Sequence, residues 1–209
     1  MRDIDWFGRI VGKLAPLFLI VAVPTALQAQ FSIAPTIGVY VPTQNLLEAA
    51  AGDPQAAIGQ QVSIAVGGRM ALGFGRFGLV VSGEYAPSSL SFSAAGVGDT
   101  TLSANVVSGT GQLWLQVLPQ TSMVSLALSG GVSVTSRGGD AFLGVANTTN
   151  VGGVVGAALG FRVGQFLHLT LTAEDYIYNA QFLGGVGVVE PTQHDIHLNF
   201  GVGIPLLGF

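Results

Sequence analysis

Residues 61–74 read QVSIAVGGRMALGF, and their two alternating sets differ in chemistry. Apart from Gly68, one set is bulky and apolar: Val62, Ile64, Val66, Met70, Leu72 and Phe74. The other set is small or polar: Ser63, Ala65, Gly67, Arg69, Ala71 and Gly73. Because successive side chains of a β-strand point to opposite faces, this stretch predicts a strand with one apolar face and one small, polar face.

The same alternation recurs in about eight runs. They cover residues 31–41, 60–74, 76–86, 102–118, 123–136, 151–164, 165–178 and 194–205. Several reach the roughly 9–11 residues that a tilted strand needs to cross a membrane. Short connections at 75, 119–122 and 164–165 alternate with long ones at 42–59, 87–101, 137–150 and 179–193, as in transmembrane barrels.

Composition favours a membrane environment for the apolar face. Only 9% of the 209 residues are charged, against about a quarter in soluble domains. The alternative is a soluble barrel with its apolar face inward, but its outer face would be Ser, Gly, Thr and Ala, a poor soluble surface. The fold class predicted is therefore all-β, an eight-stranded antiparallel up-and-down transmembrane β-barrel.

Other classes of protein are excluded by charge and by cysteine content. The net charge is −4, and no basic patch is present to follow a phosphate backbone, which excludes nucleic acid as a partner. The chain has no cysteine, so thiol catalysis, disulfides and thiolate metal sites are excluded. We expect neither a cofactor nor a metal.

Residues 1–29 have the three parts of a secretory signal peptide. Arg2, Arg9 and Lys13 precede an apolar core at 14–23, and cleavage is expected after Ala29. The alternative, a membrane anchor, needs roughly twenty apolar residues. Residues 30–209 are then one barrel domain, exported through the periplasm into the outer membrane, and contain no lysine.

The export signal, the eight alternating runs, the loop asymmetry and the terminal Phe209 together resemble the small eight-stranded outer-membrane barrels of the OmpA/OmpX type. The resemblance implies a monomer surrounded by outer-membrane lipid and lipopolysaccharide. It also implies that the last strand and Phe209 form the insertion signal read by the barrel-assembly machinery.

The polar face of the strands predicts a luminal network. Its charged and imidazole members are Arg69, Glu84, Arg162, His168, Glu174, Asp195 and His197. An eight-stranded barrel is just wide enough for side chains to fill, so these groups should pair. Arg69 with Glu84 is the expected ion pair, and Arg76 is an alternative basic partner. Asp175, by contrast, falls on the apolar face, either near the membrane interface or beside a bulge.

Two features of the last strands bear on function and on packing. His194 and His197 point to opposite faces, but Asp195 and His197 share one and could form a hydrogen bond. Gly152, Gly156, Gly160 and Gly164 are expected to make room in the lumen for a bulky side chain such as Trp114.

Three functional hypotheses remain open. The first is a non-enzymatic barrel, plugged by polar side chains, that supports envelope integrity or surface interaction. The second is a passage for small hydrophobic solutes. The third is a lipid A acyl-modifying enzyme centred on Asp195 and His197, a chemistry found among some barrels of this size, which would need a serine beside the histidine.

Overall fold

The computed structural model describes residues 29–48, 57–94, 97–118, 123–143, 148–164, 167–180 and 192–207. Its strands are β1 (Ala29–Pro42), β2 (Leu47–Glu48), β3 (Ala57–Gln60), β4 (Ser63–Phe74), β5 (Phe77–Ala94), β6 (Val97–Leu118), β7 (Val124–Gly138), β8 (Thr149–Val163), β9 (Leu167–Asn179) and β10 (Thr192–Leu207). A 3₁₀ turn, Asp140–Phe142, follows β7. Within the described ranges, no helix combines the length and hydropathy of a transmembrane span. Residues 1–28 of the predicted signal peptide (1–29) and Phe209 lie outside these ranges, whereas Ala29 is the first residue of β1.

Eight of these strands close into an antiparallel barrel. They are hydrogen-bonded in the order β1, β4, β5, β6, β7, β8, β9 and β10, and β10 pairs back onto β1. The small β2–β3 hairpin attaches to the far part of β5, where Gln60 pairs with Leu90. The prediction of an eight-stranded antiparallel barrel is confirmed.

The two ends of the barrel differ, as the lengths of the connections predict. At the turn end, β4 and β5 are joined by Gly75 and Arg76, and β8 leads into β9 through Gly164. Gly75 and Gly164 have φ angles of 68° and 71°, in the left-handed region that glycine adopts without a steric penalty. We call the opposite end, where the predicted long connections lie, the loop end.

The predicted long connection at 87–101 is mostly strand, which corrects the sequence-based expectation. β5 and β6 remain paired from Pro87 with Asn105 up to Ala94 with Val97. Alternation continues beyond Pro87, since Leu90 is buried whereas the neighbouring strand residues are partly exposed. Pro87 is therefore not a turn signal here, and the hairpin extends the barrel wall at the loop end.

The apolar set of residues forms the outer wall, as predicted. Its members are strongly exposed: Ile37, Ile64, Val81, Leu113, Leu128, Val132, Val155, Leu171 and Leu198 are each at least 47% accessible. The residues buried in the barrel interior are mainly polar. A charged side chain on such a wall costs roughly 2–4 kcal/mol at mid-membrane, so the apolar wall matches hydrocarbon rather than water.

Asp175 lies on this outer wall without a bulge. The pairing of β9 with β10 runs without a register shift past Asp175 and Ile196. On the same face, His194 Nδ1 is 2.9 Å from Asp175 Oδ2. A polar partner, rather than a change of register, therefore accommodates the carboxylate.

Candidate functional site in the barrel lumen

The layer nearest the turn end is built on an ion pair that crosses the lumen. Arg69 Nη1 of β4 is 2.9 Å from Glu174 Oε1 of β9. Gln112 Nε2 donates to the same carboxylate oxygen at 2.9 Å and to Thr110 Oγ1 at 2.9 Å. The predicted pair of Arg69 with Glu84 is therefore wrong. Counting along one hairpin compares neighbouring strands only, whereas a barrel this narrow brings opposite strands within reach.

Glu84 instead belongs to a second layer, centred on His197. His197 Nδ1 lies 2.7 Å from Glu84 Oε2, and Asn199 Nδ2 donates to Glu84 Oε1. The imidazole stacks on the ring of Tyr176 with centroids 4.1 Å apart, and it meets Tyr40 edge to face. Ring packing and the carboxylate together hold this imidazole in one orientation.

A third layer surrounds Asp195, closer to the loop end. Arg137 Nη2 is 3.1 Å from Asp195 Oδ2, and the hydroxyls of Tyr40 and Tyr178 donate to the same oxygen at 3.0 and 2.5 Å. Arg137 also donates to the Tyr178 hydroxyl, and its Nε donates to Gln60 Oε1 at 2.8 Å. All five side chains are buried, so this layer seals the lumen without exposing a charge.

The predicted hydrogen bond between Asp195 and His197 does not form. Asp195 bonds to Arg137 and two tyrosines, while His197 bonds to Glu84. The strand geometry places Asp195 and His197 on the same face, but their partners come from other strands. The prediction that His194 and His197 point to opposite faces is confirmed, because His194 lies outside against Asp175.

Arg137 is a luminal residue that the alternating runs do not include, because the pattern predicts the start of a long connection at this position. In the structure β7 continues to Gly138, and Arg137 faces inward. The signal was present in the alternation: Ser133 and Thr135 are inward, so the next residue of that set is Arg137.

We refer to the three layers together as the luminal plug. The first layer contains Arg69, Gln112 and Glu174. The second contains Glu84, His197 and Asn199, and the third contains Arg137, Asp195, Tyr40 and Tyr178.

An apolar cluster covers the luminal plug at the loop end. It contains Leu46, Leu90, Ala104, Phe142, Val154, Tyr176, Tyr178 and Ala180, with Ile58 and Ala141 packed against it. Leu46 and Phe142 come from connections between barrel strands, so the cluster fastens these connections onto the barrel. The buried apolar side chains of the cluster fill the lumen at this end.

At the turn end the lumen instead contains a cavity of about 570 Å³, which we call the vestibule. Arg69 borders it at the layer described above, and Gln30, Arg162 and His168 line it closer to the turns. The polar groups Ser125 and Ser129 and several alanines and glycines complete much of its wall, along with Trp114. Among the described residues, the lumen is thus open at the turn end and filled by side chains from the middle to the loop end.

The remaining sequence-predicted residues fall into two groups. Arg162 and His168 pair across β8 and β9 and line the vestibule. Arg76 is exposed in the turn after Gly75 and does not line the vestibule. Among the described residues, no group of three His, Asp or Glu side chains is arranged to hold a metal ion.

The glycines of β8 make room for other side chains than the one expected. A Cβ on Gly156 would contact Glu174, and one on Gly160 would contact Ser125 and His168. Trp114 instead lies against Gly73 and Gly78 of β4 and β5. The indole is therefore accommodated by β4 and β5, on one side of β6, and not by β8.

Comparison with solved structures finds the same architecture at low sequence identity. The crystal structure of the outer membrane protein OprG from Pseudomonas aeruginosa superposes with a TM-score of 0.64 at 13% identity, covering 87% of this chain and 97% of that one. Outer membrane protein AlkL, determined in lipid bilayers, gives 0.56 at 10% identity with 90% and 94% covered. Neisserial surface protein A gives 0.51 at 11% identity with 86% and 97% covered. No family model and no curated protein sequence matches the chain.

At these identities the likeness is one of fold. It agrees with the outer wall and the lumen, which have the polarity expected of a barrel embedded in lipid. With its apolar wall, its polar lumen and this shared architecture, the chain is an integral eight-stranded β-barrel of the outer-membrane type.

Proposed function

We propose that this protein is a non-enzymatic barrel of the outer membrane that does not conduct solutes and that supports envelope integrity or surface contacts. The observation that carries the proposal is the luminal plug, whose ion pairs Arg69–Glu174 and Arg137–Asp195 bridge different strands. Leaving one member of a buried pair without its partner costs about 3–5 kcal/mol. An open pore through this lumen would carry that cost.

The loop end supports a role at a surface. Gln60 of β3 accepts a hydrogen bond from Arg137, and Leu46 and Phe142 pack into the apolar cluster. The described parts of two connections are therefore fastened to the barrel at the end away from the turns. Connections fastened in this way present a constant surface to partners at low entropic cost.

Conductance in a planar bilayer tests the closed state. We expect no stable open level for the wild-type protein, with a general porin in the same bilayer showing that the assay detects channels. The double variant Arg69→Ala with Glu174→Ala removes both members of one ion pair and should admit water deeper into the lumen. Stable, voltage-independent steps from the wild-type barrel would contradict the proposal.

The envelope role needs a measurement in cells. A strain that lacks the protein should become more sensitive to detergents and large antibiotics, and the wild-type gene should restore resistance. Arg76→Gln, a change in an exposed turn residue, should restore it equally. A deletion strain that is indistinguishable from its parent under these conditions would leave only the surface role.

A second candidate is the passage of small hydrophobic solutes, favoured by the apolar cluster at the loop end. A solute that dissolves among Leu90, Phe142 and Val154 would meet few polar groups before the luminal plug. Proteoliposome uptake of a hydrophobic dye separates the two candidates, because the closed barrel should not accelerate it. Faster uptake that is lost in Phe142→Ser would favour the second.

The enzyme hypothesis has less support from the geometry. His197 and Asp195 are both 1% exposed, and each is bonded to a partner other than the one that a catalytic pair requires. If His197→Ala changed the lipid A pattern of the host cell while the barrel remained folded, catalysis would have to be reconsidered.

A further inference from the structure

The vestibule is basic, although the chain as a whole is acidic. Two guanidinium groups, those of Arg69 and Arg162, line it beside the imidazole of His168, and none of the described residues that line it is Asp or Glu. The net charge of the chain is −4, so the vestibule differs in sign from the whole molecule. A concave site lined by one sign of charge within low-dielectric walls concentrates ligands of the opposite sign.

Arg69 places a guanidinium at the inner end of the vestibule. Its side chain is 13% exposed, and its ion pair with Glu174 uses Nη1. A guanidinium carries five N–H donors in a fixed fork, so one carboxylate does not exhaust it. The exposed part of this group borders the cavity, where an anionic oxygen could accept from it.

Gln116 adds an amide side chain to the wall of the vestibule. It lines the vestibule, it is 5% exposed, and its Oε1 has no hydrogen-bond partner among the described residues. This oxygen is enclosed by protein atoms, so it is not itself a contact for a ligand in the cavity.

The rest of the wall consists mainly of small side chains, some apolar and some with a hydroxyl group, such as Ser125 and Ser129. Ala34, Ala71, Val80, Ala127 and Ala158 line the cavity between its basic groups. Its volume of about 570 Å³ lies within the roughly 300–1,000 Å³ that is usual for small-molecule sites. Alanine patches between two guanidinium groups fit a ligand that has a short hydrocarbon body and one charged head, and the serine and threonine hydroxyls of the wall can donate to the same head.

We propose that the vestibule binds a small organic anion, with a carboxylate or phosphate head and a short apolar body, that enters from the turn end. The head is bound by Arg69 and Arg162, and the body lies against the alanines. Because the luminal plug begins at Arg69, the vestibule retains this ligand and does not pass it through the membrane. This site goes beyond the closed-barrel function and can be tested separately.

Titration calorimetry tests the site with three probes of equal chain length. The folded barrel in an uncharged detergent is titrated with hexanoate, hexyl phosphate and hexylammonium. We expect saturable binding of at least one anion and none of the cation. The preferred anion identifies the head group as carboxylate or phosphate.

Three variants locate the binding. Arg162→Gln should weaken it about tenfold, as expected for the loss of one charge-assisted hydrogen bond. Ala158→Trp fills the cavity without changing charge and should abolish binding. Arg76→Gln is the matched control, because it removes an arginine at the same end but outside the vestibule, and its affinity should equal that of the wild type.

Three results would overturn the proposal. The first is the absence of saturable binding heat with both anions, and the second is equal binding of hexylammonium. The third is an Ala158→Trp barrel that binds the anion as tightly as the wild type does. An unheated gel shift confirms that each variant is folded. Conductance results do not affect these outcomes, since a closed barrel and an open one both leave the vestibule accessible from the turn end.

Discussion

Arg137 is the residue whose loss should destabilise the barrel most, because its guanidinium bonds to Asp195, Tyr178 and Gln60. Arg137→Met leaves the buried carboxylate without its cation, and we expect the free energy of unfolding to fall by about 3–5 kcal/mol. Urea titration of the refolded protein in lipid vesicles measures this change. Combining it with Asp195→Asn should recover part of the loss, since the neutral amide no longer needs a cation.

The matched control is Arg76→Met, which changes an exposed turn residue. Surface substitutions of this kind usually alter stability by about 0.5 kcal/mol or less. If Arg137→Met were no more destabilising than this control, the luminal plug would not be a structural element.

For single residues, the alternation in the sequence predicted which face of the strand a side chain lies on better than it predicted which residue that side chain contacts. The alternation placed Arg69, Glu84 and Asp195 on the luminal face, where the structure has them. The pairs themselves join strands that are not neighbours, such as β4 with β9, and depend on the shape of the closed lumen. No count along a hairpin contains that information.

At the scale of the strand, β5 carries two glycines with opposite environments. A Cβ on Gly78 would overlap the Trp114 indole, whereas one on Gly83 would lie 4.0 Å from its nearest neighbour, the Ser108 carbonyl oxygen. Gly78→Ala should therefore destabilise the barrel by about 1–3 kcal/mol, the usual cost of overpacking. Unfolding followed by Trp114 fluorescence measures it.

Gly83→Ala provides the comparison within the same strand and should leave stability nearly unchanged. If both variants lost the same free energy of unfolding, the cause would be the replacement of glycine in this strand and not the contact with Trp114. Replacing Trp114 by Leu in the Gly78→Ala background should relieve the overlap, with the change then followed by circular dichroism.

Strand positions were predictable because a period of two is imposed by the backbone itself. The ends of the strands were less predictable than their positions. Pro87 and Arg137 read as the beginnings of connections, yet β5 and β7 continue past them, since pairing with β6 persists on both sides. Ladder hydrogen bonds from a neighbouring strand extend a strand further than its own residues indicate.

At the scale of the whole molecule, closure is the property to measure. Because β10 pairs with β1, the eight barrel strands form a continuous ring of backbone hydrogen bonds. We expect the protein to fractionate with outer membranes and to migrate differently on gels when it is left unheated. A soluble periplasmic protein without a heat-dependent shift would refute the membrane barrel.

The vestibule also determines where a voltage acts. Water and ions in a cavity that is open at one end conduct far better than packed side chains, so a potential applied across the bilayer would fall mainly over the luminal plug. The insulating part of this protein is therefore shorter than its wall, and the local field is correspondingly stronger. Arg69 and Glu174 lie where that field begins, so their ion pair is the first contact that an increasing voltage would strain.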